Sequence, residues 1–206
     1  LVNNILGEIS IEDNNPFKAY EHYNECINVA NDKSQKTSIY FKLLDISKKY
    51  SHLDSSIVYL DKLSEHTSGQ MRKDIKLDWI KYSREAKEFE DLLIEIDVML
   101  ASSEYSSIHI KLELERAKIY LDQSDFTSAK IFLSELSEKY SRKNESAEAL
   151  YYLGYIALIE NFDLELALEY FEKSRKDRKS SLYGKRSRDM INRINEFKIL
   201  NEEFDY

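Results

Sequence analysis

The chain has 206 residues, 42% of them hydrophobic and 33% charged, with four glycines, one proline and a formal charge of −8. That length gives one domain or two small ones with a sizeable core, and the composition is too apolar for a disordered chain and too poor in turn formers for an all-β fold. The acidic balance argues against a protein that coats nucleic-acid phosphates over its whole surface.

Read in chain order, the sequence repeats itself. Five segments align on Ala19, Ser56, Leu92, Ala129 and Ala167, at intervals of 37, 36, 37 and 38 residues. Four residues on stand Tyr23, Leu60, Ile96, Leu133 and Phe171, and seven residues on stand Cys26, Leu63, Met99, Leu136 and Ser174. Positions i, i+4 and i+7 share one face of an α-helix, so each segment predicts a helix with a buried stripe in register with the others. Twelve or thirteen residues upstream, a preceding helix presents Gly7, Leu44, Ile80, Ala117 and Gly154. Glycine inside a helix costs about 1 kcal/mol relative to alanine, so Gly7 and Gly154 point to close approach of a partner helix. Polar runs at 13–16, 51–54, 123–125 and 160–163 read as the turns within each helix pair, with Pro16 suited to a first helical turn and Asn15 placed to cap it. The third turn, Ala86-Lys87-Glu88-Phe89, lacks a strong breaker. A last helix from about Ser181 to Asn201 carries Tyr183, Met190, Ile194 and Phe197 on one face, with Ile191 beside them, which suits a cap over the final apolar surface.

Two segments carry a family resemblance. Residues 149–155, Ala-Leu-Tyr-Tyr-Leu-Gly-Tyr, followed by Ala167-Leu168-Glu169-Tyr170-Phe171, resemble the tetratricopeptide repeat, and Arg116-Ala117-Lys118-Ile119-Tyr120 with Ala129 and Leu133 is similar. The resemblance is strong from about Leu112 onward and looser before it. The period exceeds the family's 34, no repeat ends in the usual proline, and Ser56 and Leu92 stand where alanine is the rule. A finer likeness, Ser146-Ala147-Glu148-Ala149-Leu150-Tyr151-Tyr152-Leu153-Gly154, is similar to helix entries in bacterial envelope proteins of the TolA-binding and outer-membrane-assembly lipoprotein type. Its second copy, beginning at Ser181, has Gly184 where alanine is expected.

The resemblance implies an all-α, right-handed α-solenoid of about five helical hairpins plus a C-terminal capping helix. The chain reads as a single domain with repeats near 1–34, 35–70, 71–105, 106–143 and 144–179 and a cap at 180–206. The first helix of each repeat would line a concave groove, which places Phe41, Asp45, Lys48, Lys81, Arg84, Lys118, Tyr151 and Tyr155 on the binding wall. Lysine, arginine and tyrosine there suit a protein or peptide partner, with acidic character expected. The same positions also fit ordinary packing and solvation.

The function implied is a non-enzymatic interaction scaffold, in a multi-protein or envelope assembly. His22, His52, His66 and His109 are scattered, and Cys26 falls on a buried stripe, so no catalytic residue, metal site or cofactor is expected. Gly7, Gly69, Gly154 and Gly184 are too isolated to form a phosphate loop, and carboxylate pairs such as Glu202 with Glu203 read as solvent-facing. Trp79 reads as a packing residue. From Glu172 to Arg193 nine bases face three acids, a local +6 that leaves −14 for the rest of the −8 chain. Arg175, Lys176, Arg178, Lys179, Lys185, Arg186 and Arg188 form this basic patch, and an adaptor using residues 173–193 on nucleic acid is the alternative reading, although nucleic acid is not the expected partner. The longest strongly apolar stretch, residues 151–159, falls far short of the roughly 20 needed to span a bilayer, so a soluble protein of the cytoplasm or periplasm is expected. Leu1 falls within the first repeat's opening helix, so further residues upstream, a targeting segment among them, are also expected.

Overall fold

The computed structural model describes residues 2–87 and 89–204, with side chains to residue 201. Leu1 at the start of the opening helix, Glu88 in the third turn and the side chains of Glu202 and Glu203 lie outside the described residues. Among those described, the chain is all-α. Helices α1 (Val2–Glu12) and α2 (Pro16–Val29), α3 (Lys33–Lys49) and α4 (Leu53–His66), α5 (Gly69–Glu85) and α6 (Phe89–Ala101), α7 (His109–Asp122) and α8 (Phe126–Lys139), and α9 (Asn144–Asn161) and α10 (Leu164–Asp177) follow as consecutive pairs. A 3-10 turn, Ser103–Ile108, precedes α7, and α11 (Leu182–Phe204) ends the series. The chain divides into two compact bodies, residues 1–95 and 96–206, with the division inside α6.

The repeat is a packing pattern. Ala19, Ser56, Ala129 and Ala167 are 0% exposed and Leu92 is 1% exposed. The residues four and seven places on are buried as well, from Tyr23 and Cys26 in α2 to Phe171 and Ser174 in α10. On the first helices Gly7, Leu44, Ile80, Ala117 and Gly154 are buried. The two glycines are required by their neighbours: a Cβ on Gly7 would lie 2.6 Å from the Tyr23 ring, and one on Gly154 would lie 2.8 Å from the Phe171 ring. Where the second helix offers leucine, the first helix carries a larger residue, as with Leu44 and Leu60 in one cluster and Ala117 and Leu133 in another.

The turns sit where the polar runs predict, and they share one device. Asn14, Ser51, Lys87, Ser124 and Phe162 all take positive φ, between 51 and 64°. The residue after the first, second and fourth of these returns its N–H to a carbonyl five places back: Asn15 to Ser10 at 2.8 Å, His52 to Ser47 at 2.8 Å and Asp125 to Tyr120 at 2.9 Å. These bonds satisfy carbonyls that the helix end leaves without a partner. The following helices are then capped by Asn15, Asp125 and Asp163, whose side chains accept from the N–H of Lys18, Ser128 and Leu166. The third turn forms without glycine or proline, with Lys87 at φ 64° bonded to the Arg84 carbonyl.

Helix α11 closes the last repeat much as expected. Ile194 is buried with Ala157, Ala167 and Phe171, and Met190 and Ile191 pack against them. Phe197 stays 39% exposed and meets Phe162 edge to face, with ring centres 5.8 Å apart. Gly184 departs from the alanine of the motif for a steric reason: a Cβ there would lie 2.2 Å from the Arg178 carbonyl oxygen.

Replacing Gly154 with alanine gains helix propensity of about 1 kcal/mol but forces the Phe171 ring to move, and overpacking costs about 1–3 kcal/mol. Thermal and urea denaturation are expected to show G154A less stable by about 1 kcal/mol. Adding Phe171→Leu, which recreates the Ala117 and Leu133 combination, restores part of the loss.

Candidate functional site

The residues singled out as a binding wall fall on first helices, within each body. In the first body, Phe41 on α3 packs with Trp79 and Tyr82 of α5 against the cluster of Leu44, Leu60, Leu63 and Ile75. Asp45 is exposed on the same helix. Lys48 donates to Asp78 Oδ2 at 3.2 Å and lies 5.3 Å from the centre of the Tyr82 ring. Lys81 lies 3.8 Å from the other oxygen of Asp78, which therefore gathers both lysines. Arg84 is half-buried and engaged within the fold. Trp79, half-buried, carries the Lys76 ammonium 4.9 Å from its ring centre.

In the second body, Lys118 is committed internally. Its ammonium is 3.0 Å from Glu115 on its own helix and 3.0 Å from Glu148 on α9. All three side chains are largely buried. Desolvation pulls the Lys118 pKa down, but the Glu115 and Glu148 carboxylates outweigh it and hold the ammonium above its ordinary value. That stabilisation is complete below the unfolded lysine pKa and is lost as pH rises through the higher folded one. Tyr152 and Tyr183 join hydroxyl to hydroxyl at 3.1 Å, and Tyr151 packs 5.4 Å from Phe171 and 5.2 Å from Tyr183. Burial, with the Tyr152 hydrogen bond and the Glu148 charge, pushes the Tyr183 phenol well up, and burial raises Tyr151 too. Tyr155 faces solvent at 43% exposure.

Sequence reasoning located Lys48 and Lys118 but missed their partners, and missed Lys42 altogether. Lys48 reaches Asp78 and Lys118 reaches Glu148 across a separation of 30 residues, and Lys42 reaches Glu8 across 34. Each pair joins neighbouring first helices. The signal was present as a lysine and a carboxylate a little less than one repeat apart.

The basic patch is partly neutralised. Arg175 pairs with Glu172 at 2.7 Å, Arg188 lies 3.7 Å from Asp189, and Arg186 stacks 5.1 Å from the Tyr183 ring centre. Arg178 donates to the Arg142 carbonyl at 3.0 Å. Lys176, Lys179 and Lys185 are exposed and carry no ion pair among the described residues. Cys26 is 7% exposed inside an apolar cluster with Ala19 and Tyr23. Among the described residues no group of histidine, cysteine, aspartate and glutamate is arranged to hold a metal, and no helix is long and apolar enough to cross a membrane.

Among solved structures, the chain is similar to PilW, described as a widely conserved type IV pilus biogenesis factor. The TM-score is 0.54 at 12% identity, over 85% of this chain and 76% of that one. At that identity the likeness shows the fold, a series of paired helices. No family model and no curated protein matches the sequence.

Replacing Lys118 with methionine leaves the Glu115 and Glu148 carboxylates desolvated without their cation, a class of change that costs about 3–5 kcal/mol. Carboxylates in that state have raised pKa values, so the folded variant takes up protons before the unfolded one does. Urea denaturation is expected to show a large loss at neutral pH and a smaller one near pH ~5. Adding Glu148→Gln recovers part of it.

Proposed function

We propose that the chain is a non-enzymatic interaction scaffold that holds a segment of a partner protein against its first helices, within a multi-protein assembly of the bacterial envelope. One observation supports this most: the titratable groups of these helices are spent on tying neighbouring helices together, as Lys48 with Asp78 and Lys118 with Glu148 do, instead of converging on a reacting centre. What still faces solvent is a mixed surface, with Asp45 and Lys81, the latter beside Asp78, in the first body and Tyr155 in the second. Tyrosine offers large contact area at low entropic cost, and charges of both signs set orientation more than affinity.

The internal pairing bears on the class of partner. An acidic peptide gains little from Lys48 and Lys118, whose charges are already met by carboxylates. A segment of mixed charge with an apolar or aromatic side chain suits the face better. The likeness to a type IV pilus biogenesis factor supports an assembly role and an envelope setting.

Site-specific photo-crosslinking in cells separates this face from the rest of the surface. Probes at Lys81 and Tyr155 are expected to yield a discrete adduct with a partner protein, while probes at the exposed second-helix positions Val58 and Ile131 yield none. Adducts only from Val58 and Ile131 would move the binding surface to the second helices.

A further inference from the structure

Ion pairs hold half of the second body's lysines to the fold, among them Lys118 to Glu115 and Glu148, Lys130 to Glu160, and Lys139 to Glu113. One edge differs. There the turn before α9 is strapped to the end of α10: the Arg142 N–H donates to Asp177 Oδ1 at 2.9 Å, and Arg178 Nη1 donates to the Arg142 carbonyl at 3.0 Å. Between them lies a shallow groove of about 490 Å³, lined by Arg142, Leu150, Lys173, Lys176 and Arg178 around Asp177. Lys173 pairs with Glu169, but the Arg142 guanidinium and the Lys176 ammonium have no ion pair among the described residues. Three cations without an ion pair among the described residues, Arg142, Lys176 and Arg178, thus face one carboxylate, and that carboxylate already accepts a main-chain N–H.

Helix C-termini attract cations through the macrodipole, which accounts for Arg175 and Lys176 in the last turn of α10. It does not account for Arg142 and Lys179, which lie past the ends of α8 and α10. Nor is the charge a property of the repeat. The corresponding turns of the first body, residues 30–32 and 67–68, contain no lysine or arginine.

We infer that this groove docks a short acidic peptide segment of a partner protein, with carboxylates taken by Arg142 and Lys176 and an apolar side chain resting on Leu150 and the lysine stems. Charge complementarity selects an anion, and two features select a peptide. The groove contains an apolar core residue, Leu150, 9% exposed, which a phosphate backbone would not use. Outside residues 172–193 the chain carries a net −14, which repels a long polyanion or an anionic bilayer lying across it. A segment confined to the groove meets chiefly the cations, because charges beyond about 8 Å are screened at physiological salt. This surface is separate from the first-helix face and stands or falls independently of it.

The test is fluorescence anisotropy with a labelled peptide of about eight residues that alternates glutamate pairs with leucine. An oligothymidylate of equal charge and phosphatidylserine vesicles serve as competitors. The variant pair Arg142→Asp with Lys176→Glu is compared with Lys33→Glu with Lys111→Glu, exposed residues elsewhere whose replacement changes net charge equally. Aspartate tolerates the positive φ of 65° at position 142, and circular dichroism verifies that both variants fold. The inference expects the groove variant to bind the peptide at least about tenfold more weakly and the control to stay within about twofold. It is overturned by no peptide binding, by equal loss in both variants, or by tighter binding of the oligothymidylate or the vesicles than of the peptide.

Discussion

Within each body, a hairpin depends on the space shared between one residue of its first helix and one residue of its second. Gly7 yields to Tyr23 and Gly154 yields to Phe171, at separations that leave no room for a methyl group. Close-packed interiors do not tolerate such changes freely, so the identity of one partner dictates the other. Around this contact the stripes from Ala19 to Cys26 and from Ala167 to Ser174 are buried, and within each body a hairpin presents its neighbour with an apolar face that it cannot bury alone. A repeat of 36 to 38 residues survives sequence divergence because the constraint acts on summed volume at a position and not on residue type.

The turns follow from that packing. Among the described residues six non-glycine positions accept positive φ, Arg142 between repeats and five within the helix pairs, a bulky phenylalanine among them, at a cost of about 1–2 kcal/mol each. Packed helices on either side over-determine the turn, and returned main-chain bonds with aspartate or asparagine caps offset part of the strain. Polar residues in these runs therefore act less as breakers than as cap donors and acceptors.

Electrostatics adds a second layer of cross-linking. Lys42 with Glu8, Lys48 with Asp78 and Lys118 with Glu148 tie first helices to their neighbours, and the last of these is buried enough for its partners to hold the ammonium against desolvation. Such pairs favour one alignment of helices over others, because a buried charge without its partner is expensive. They also redistribute the functional surface. Cations that read as ligands for an acidic peptide are consumed on the first helices, while the edge near Arg142 and Lys176 keeps unpaired charge around a groove with one leucine in its wall.

Much of the architecture is legible in the sequence. Periodicity alone sets the helices and their buried stripes, because an apolar residue every three or four positions has only one face to hide. Polar runs mark four turns directly, and Lys87 shows why the third was faint: tertiary packing holds a lysine in a conformation that no local signal demands. The site was harder to read. Lys48, Lys81 and Lys118 are identifiable as first-helix residues, but whether each charge is free depends on a carboxylate elsewhere, within a helical turn or 30 residues away. The groove at Arg142 was invisible for the same reason, since its walls come from the turn before α9, from α9 itself and from the end of α10, which only folding brings together. Which residues must be buried is written in the spacing along each helix, because burial follows the face that spacing creates; which charges stay exposed emerges on folding, because most of the decisive partners lie on another helix.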